Sequence, residues 1–383
     1  MSRQGVGDTG ILSRNDFPSL FSALKGRGYR VVGPTVRDGA IVYGDLEGDA
    51  DLPVGWTDRQ EAGRYRLERR GDDALFGYNV GPHSWKKYLF PPHERLWTAH
   101  RKEESFEVTI EPNEAPPFAF LGVRACEVAA IEVQDRVFLG KYPDPGYRAR
   151  RGRSLVIGVA CGQAGATCFC TSMGTGPGLS EGYDLGITEI LSPGPHRFLV
   201  RVGSPRGAEL ASDLPLTPAV TADHGRGKEI IERTAASMGR SMTTDGLREL
   251  MVDNLAHPRW EIVARRCLSC ANCTLACPTC FCSTNEEMTA LDATSAERWR
   301  RWDSCFNLGF TELHSAKVRS SGMSRYRQWL THKLGTWHDQ FGVSGCVGCG
   351  RCITWCPVGI DLTEEVAAIR EPQGARPPPG GLA

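Results

Sequence analysis

The sequence predicts an α+β multidomain protein, in which an N-terminal α/β domain precedes an α-helical domain that carries two dense cysteine runs. Short apolar runs separated by Gly, Pro and charged turns fill about residues 28–220, whereas from about residue 225 apolar residues recur at helical spacing. A chain of 383 residues can bury two separate cores. We therefore expect an extension at 1–27, the α/β domain at 28–220, the helical domain at 225–365 and a flexible, proline-rich tail at 366–383.

The α/β prediction rests on apolar runs bounded by turn residues, a pattern typical of strands. These runs are RVV, AIVYGDL, FAFLGV, SLVIGVA, DLGITEI and FLVRV. Between two of them, the segment from Ala125 to Phe138 has the pattern of a helix. The segment from Phe118 to Ala160 is therefore predicted to form a strand–helix–strand crossover that joins two parallel strands.

Helices are predicted in the second half. The first follows the candidate N-cap residues Thr243, Thr244 and Asp245, and the second begins at Ser295. The apolar positions of the first helix are Leu247, Leu250, Met251 and Leu255, and those of the second are Trp299, Trp302 and Phe306. A third predicted helix carries Tyr326, Trp329, Leu330, Leu334, Trp337 and Phe341. Because apolar stripes at this spacing are typical of packed cores, we assign them to the core and not to a cofactor site.

Charge and composition disfavour some classes of partner. Lys plus Arg and Asp plus Glu balance at 45 each, so no net field attracts nucleic acid or anionic lipid. No apolar run approaches the roughly 20 residues of a membrane span, and the N-terminus lacks the apolar core of a signal peptide. We expect a cytoplasmic protein, whose 15 cysteines serve metal or redox chemistry instead of disulfides.

Both cysteine runs have the spacing of bacterial ferredoxins. Each matches C-x2-C-x2-C-x3-C followed by Pro. The runs consist of Cys267, Cys270, Cys273 and Cys277, and of Cys346, Cys349, Cys352 and Cys356. Three thiolates spaced in this way let one loop wrap an iron–sulfur cluster while its backbone N–H groups point at the sulfurs, and Gly348 and Gly350 help the loop to bend.

The fourth cysteine of each run lies too far along the chain to close the same cluster, so it ligates the other one. We predict one 4Fe-4S cluster on Cys267, Cys270, Cys273 and Cys356, and a second on Cys346, Cys349, Cys352 and Cys277. A pair of zinc sites is the alternative, although structural zinc sites typically pair C-x2-C with a distant second half. The long helical spacer resembles the α-helical ferredoxin module of multisubunit oxidoreductases.

A second group of cysteines lies in the α/β half. Cys126 and Cys161 each follow a strand candidate, at the edge where α/β sheets usually place their sites, and Cys168 and Cys170 come shortly after. We hypothesise that these four thiols bind a third 4Fe-4S cluster. A zinc site, or burial of some of them as small apolar side chains, is the alternative.

The sequence leaves Cys280, Cys282 and Cys305 without a firm assignment. They could bind a further metal with a non-protein ligand, act in redox or sulfur chemistry, or pack, and packing is the simplest interpretation for Cys305.

A nucleotide site is not predicted in this chain. The best glycine cluster, GTGPG at 174–178, has Leu179 where G-x-G-x-x-G requires Gly, and it does not follow a strand. Any FAD or NAD(P) is accordingly expected on a partner chain.

Several motifs together resemble a known family. They are GYNVGPHSWKKYLFPP, FLGVRACEVAAI, CFCTSMGTGP, CLSCANCTLACPTCFC, RWDSCF, RYRQWLTHKL and GCVGCGRCITWCPVGID. Over roughly residues 60–365 the chain resembles the iron–sulfur beta subunits of cytoplasmic nickel–iron hydrogenases of the sulfhydrogenase type, a family that includes the electron-transfer subunit of anaerobic sulfite reductase. Cys126, Cys161, Cys168 and Cys170 match its N-terminal motifs, and Glu127 stands where aspartate is frequent.

The resemblance implies an electron-transfer subunit without an active site of its own. Such a subunit relays electrons through 4Fe-4S clusters between the hydrogenase small and large subunits and an FAD- and NAD(P)-binding diaphorase subunit. One alternative is a relay to the siroheme subunit of anaerobic sulfite reductase. A chain that is itself catalytic in sulfur reduction at Cys280, Cys282 and Cys305 is another.

Overall fold

A computed structural model of the chain describes residues 5–111 and 115–371. Its strands are β1 (Thr9–Ser13), β2 (Arg30–Arg37), β3 (Ala40–Asp45), β4 (Trp56–Glu61), β5 (Arg64–Arg69), β6 (His93–Lys102), β7 (Ser105–Ile110), β8 (Phe118–Arg124), β9 (Leu155–Val159), β10 (Leu185–Ile190), β11 (Arg197–Val202), β12 (Thr217–Pro218), β13 (Ser283–Thr289), β14 (Ser295–Trp302), β15 (Glu312–Leu313) and β16 (Ala316–Lys317).

The helices are α1 (Pro18–Gly26), α2 (Lys86–Leu89), α3 (Ala125–Phe138), α4 (Pro145–Arg153), α5 (Pro205–Ala211), α6 (Thr221–Ala236), α7 (Leu247–Asp253), α8 (Arg259–Arg266), α9 (Asn272–Leu275), α10 (Gly322–Thr331), α11 (Trp337–Phe341), α12 (Arg351–Thr354) and α13 (Leu362–Arg370). None of the helices in the described ranges is both long and apolar enough to cross a bilayer.

An eight-stranded sheet forms the centre of the first half, in the order β12-β1-β11-β10-β9-β8-β2-β3. Strands β2, β8, β9 and β10 are parallel neighbours, and antiparallel strands flank them. Strands β8 and β9 are buried along their whole length, because helices and loops cover both faces of a parallel sheet. The six predicted strands are confirmed, as is the β8–α3–β9 crossover.

The predicted N-terminal extension at 1–27 is wrong for the residues that the structure describes. Strand β1 pairs with β11 inside the large sheet, and Leu20 and Leu24 of helix α1 are buried in the core beneath it. The apolar run GILS is too short to stand out in a sequence, and its partner β11 lies far along the chain, so only the tertiary pairing identifies it as a strand.

A second sheet joins the two halves of the chain and corrects the predicted helix at Ser295. Its order is β13-β14-β6-β7, so that β14 lies between the spacer strand β13 and the N-terminal strand β6. Trp299 and Trp302 are three residues apart, as on a helix face, but aromatic residues also favour strands. Strand pairing on both sides satisfies the backbone of β14, and the second half is therefore not purely helical.

The other predicted helices are present with altered ends. Helix α7 begins after Gly246 without a side-chain cap from Thr243, Thr244 or Asp245, and Leu255 lies beyond the helix, exposed. The third prediction corresponds to α10, a π-helical turn at His332–Thr336, and α11. Its aromatic stripe is core, as predicted, with Phe341 only partly buried. Helix α13 continues to Arg370 and replaces the start of the predicted tail, whose residues 372–383 lie outside the described residues.

A buried ion pair connects the first half to the second ferredoxin run. Glu127 of α3 accepts hydrogen bonds from both Tyr43 and Trp85, and Arg351 of α12 donates to it at 2.5 Å. The side chains of Glu127 and Arg351 are 0% and 5% exposed, so neither charge is solvated without the other. Two charges desolvated in this way make the pair a strong constraint on how the halves pack.

We predict that Glu127→Ala lowers the free energy of unfolding by about 3–5 kcal/mol, because it leaves the Arg351 guanidinium buried without a counter-charge. Anaerobic chemical denaturation measures this value. Asp45→Ala is the matched control, since it removes an exposed ion pair with Arg30 and should cost at most about 1 kcal/mol. Equal losses in the two variants would contradict the assignment of Glu127 as a buried anchor.

Candidate metal centres

The predicted ligands of the first cluster line one cavity. Cys267 and Cys270 lie in the loop between α8 and α9, Cys273 lies within α9, and Cys356 ends the second run, whose Cys352 also lines this cavity. The remaining lining is mostly apolar, including Phe306, Tyr326, Trp329, Ile360 and Leu362. A thiol-lined cavity with apolar walls fits a 4Fe-4S cluster, because the donors are thiolates and the walls exclude water.

The predicted ligands of the second cluster are also neighbours. Burial raises the pKa of Cys352, and the thiols of Cys346, Cys349 and Cys277 raise that pKa further. Cys277 therefore lies with the second run and Cys356 with the first, which is the crossed arrangement that the spacing predicts. Metal binding must displace the protons that burial favours on Cys346, Cys349 and Cys352.

Backbone N–H groups point at three of these sulfurs. Ser269 donates to Cys267 Sγ at 3.4 Å, and Gly348 donates to Cys346 Sγ at 3.5 Å. Ile360 donates to Cys356 Sγ at 3.3 Å. Such donors stabilise negative charge on cluster thiolates.

The two ferredoxin loops share a backbone shape with different residues. Gly348 and Gly350 have positive φ values of 65° and 72°, and the equivalent Ser269 and Ala271 have φ values of 52° and 68°. The shape of the loop thus requires a positive φ at these positions, whether or not the residue there is glycine. The second loop uses glycine because its surroundings also leave no room for a side chain.

A buried lysine lies beside the second ligand set. The Lys333 ammonium, from the π-helical turn, is 3.2 Å from Cys277 Sγ and also donates to Thr279 Oγ1 and Gly345 O. Hydrogen bonding to Cys280 and the charge of Lys333 lower the pKa of Cys277 well below its usual value. The site therefore favours the thiolate form that metal binding needs.

The four cysteines of the α/β half converge at the carboxyl edge of the parallel strands. Cys126 begins α3 after β8, and Cys161 follows β9. Burial raises the pKa of Cys168 to about 12, with a further contribution from the Cys161 thiol. Burial also raises the pKa of Cys170, with contributions from the Cys161 and Cys168 thiols, and that of Cys126, with a contribution from the Cys170 thiol. The thiol donors thus lie close together, with Cys170 buried and the other three half-buried, which fits a metal centre.

This third group packs directly on the second ferredoxin loop. Phe169 N donates to Gly348 O at 2.9 Å, and Thr175 Oγ1 donates to Val347 O at 2.7 Å. A Cβ atom at Gly348 would lie 2.6 Å from Cys170 Cα, a distance that real structures do not tolerate. The two cysteine-bearing loops are therefore in backbone contact.

Cys280, Cys282 and Cys305 lie near the ferredoxin ligands without belonging to either set. Cys280 and Cys282 precede β13, and Cys305 follows β14. Among the described residues, no three His, Cys, Asp or Glu side chains are placed to hold a single metal ion.

Some residues of these sites carry no signal in the sequence. Lys333 and Arg351 look like ordinary helix-surface residues there, but both are buried beside cysteines of the second run. Asn79, whose Oδ1 lies 3.9 Å from Cys168 Sγ, could have been noted from the GYNVGPHSW motif.

We predict that Gly348→Ala lowers the free energy of unfolding by at least about 2 kcal/mol, because it combines a strained positive φ with a backbone clash. The iron content per chain should fall as the loops separate. The control is Gly225→Ala in α6, where a Cβ meets nothing within 4 Å and helix propensity improves. Equal stability and iron content in both variants would show that the loops do not need this contact.

The comparisons with known proteins support the ferredoxin part of these centres. Residues 266–360 match the 4Fe-4S dicluster domain family, which supports two 4Fe-4S clusters. The chain is 29% identical, over 358 residues, to sulfhydrogenase 2 subunit beta of Pyrococcus furiosus, covering 93% of this chain and 96% of that protein. No solved structure matches significantly. The predicted resemblance is confirmed: the chain is an iron–sulfur protein with a 4Fe-4S dicluster domain, similar along nearly its full length to a sulfhydrogenase beta subunit.

Proposed function

We propose that this chain is the electron-relay subunit of a cytoplasmic nickel–iron hydrogenase of the sulfhydrogenase type. It would connect the hydrogenase small and large subunits with a diaphorase subunit that holds FAD and NAD(P). The observation that carries the proposal is the adjacency of three cysteine sets in one chain. Cys277 lies beside the second ferredoxin run and Cys356 beside the first, and the loop of the third set is hydrogen-bonded to the second ferredoxin loop.

We assign Cys267, Cys270, Cys273 and Cys356 to one 4Fe-4S cluster, and Cys346, Cys349, Cys352 and Cys277 to the second. Cys126, Cys161, Cys168 and Cys170 would hold the third. When bound, the clusters supply single-electron transfer between partner subunits. The protein's own residues hold the thiolates, exclude water and place Lys333 against Cys277.

The first ligand set supplies a surface for exchange with a partner. Cys270 is exposed, and the apolar side chains of Leu268 and Leu275 next to it are 64% and 41% exposed. Val358, which follows Cys356, is also exposed. An apolar rim around a shallow cluster suits a partner subunit that must bring its own centre close.

The function is tested by purifying, without oxygen, the complex that binds a tagged copy of this chain and measuring hydrogen-dependent reduction of NADP. The proposal expects activity in a preparation that contains nickel. The same complex with Cys356→Ser should assemble and lose most of this activity. An inactive complex with a siroheme absorption band would replace the proposal with sulfite reductase.

We predict that the double variant Cys168→Ser, Cys170→Ser, purified without its partners, holds about four iron atoms fewer per chain than the wild-type chain. The signals of the two ferredoxin clusters should persist in electron paramagnetic resonance, because their ligands are untouched. Iron and acid-labile sulfide analysis measures the loss. An equal iron content in the two proteins would remove the third cluster and leave the ferredoxin assignments intact.

A further inference from the structure

The three remaining thiols meet at the base of a β-hairpin. Cys280 and Cys282 lie just before β13, and Cys305 lies just after β14. The antiparallel register places Ser283 opposite Trp302, and Asp303 N donates to Cys282 O at 2.8 Å. Strand pairing therefore brings together cysteines that are more than twenty positions apart in the sequence.

The thiols are close to one another and shielded from solvent. Cys280 is buried, and Cys282 and Cys305 are partly buried. A hydrogen bond joins the thiols of Cys282 and Cys305. The Cys280 thiol is hydrogen-bonded to the Cys277 thiol and lies close to the Cys282 thiol. The group is thus a connected set of sulfur donors beside the ferredoxin run.

A buried cation faces this group, and no carboxylate in the described part of the chain pairs with it. The Lys86 side chain, from α2, is 4% exposed. Its ammonium lies 3.1 Å from Cys280 O, 3.5 Å from Leu275 O and 3.9 Å above the Trp302 ring, all of which are uncharged. Burial lowers the pKa of Lys86, and the groups that raise it when they are ionised are the thiols of Cys280, Cys277 and Cys282. Since an uncompensated buried ammonium is costly, the site calls for negative charge on these sulfurs.

We propose that Cys280, Cys282 and Cys305 bind an additional iron–sulfur cluster, with Lys86 as its counter-cation. Thiolates are the usual ligands of such clusters, and a cluster carries the anionic charge that Lys86 lacks. Three protein thiolates leave one metal position for a small non-protein ligand. The proposal does not depend on the electron-relay function.

A cluster accounts for the geometry better than one zinc ion or simple packing. Within residues 5–111 and 115–371 no three such donors are placed around a single ion, and the ferredoxin sets share this property. A cluster presents several metal atoms, so its ligands need not meet at one point. Packing of thiols as small apolar side chains would leave Lys86 without compensation.

The test compares metal and sulfide in the wild-type chain and in the triple variant Cys280→Ser, Cys282→Ser, Cys305→Ser, both purified without oxygen. The proposal expects a loss of about four iron atoms and four sulfides, with the ferredoxin resonance signals retained as the internal control for folding. Unchanged iron, or loss of zinc instead of iron, would overturn it. If the ferredoxin signals also disappear, Cys305→Ser alone decides by the same count, because Cys305 is remote from the ferredoxin run in sequence.

A second variant separates the cluster from a structural role of the lysine. Lys86→Met removes the cation and should lower the reduction potential of the signal that is absent from the triple variant, because the reduced cluster is the more anionic form. Lys86→Arg should restore most of the potential. An unchanged potential in Lys86→Met would contradict the role of Lys86 as counter-cation.

Discussion

The contact between two cysteine-bearing loops is the constraint on which the rest of the arrangement depends. Gly348 approaches Cys170 so closely that a single methyl group would not fit, and Gly350 approaches Thr167 in the same way. Backbone contact of this kind requires the sheet edge, the crossover helix and the second ferredoxin run to be fixed relative to one another. The buried pair Glu127–Arg351 supplies part of that fixation, and the sheet shared by β6 and β14 supplies more.

Buried positive charge is the second organising feature. Thiols removed from water favour the protonated form, so a site that binds metal through thiolates gains from cations nearby. Lys333 and Lys86 are both buried beside cysteines, and their polar contacts are with sulfur, hydroxyl and carbonyl groups. Arg351 differs, since a carboxylate at Glu127 balances it. The two buried lysines therefore mark positions where a negatively charged metal centre would be stabilised.

The sequence predicts features that depend on local spacing. The ferredoxin runs, the crossed ligation and the strand–helix–strand unit around Ala125 follow from patterns within a few residues of one another. The helix predicted at Ser295 failed because an aromatic pair three residues apart suits either structure, and the deciding partner strand β6 lies about two hundred residues earlier. The positive φ of Ala271 and the burial of Lys333 also depend on tertiary contacts, so no local pattern announces them.

The central claim, that the third cysteine set holds a cluster beside the second ferredoxin cluster, is tested most directly by electron paramagnetic resonance of the fully reduced chain. Two paramagnetic clusters held by loops in backbone contact should show spin–spin interaction, seen as broadened and split signals. The account predicts that Cys126→Ser removes the part of this interaction that involves the third cluster, while the interaction between the two cross-ligated ferredoxin clusters remains. Identical reduced spectra from the wild-type chain and Cys126→Ser would contradict it.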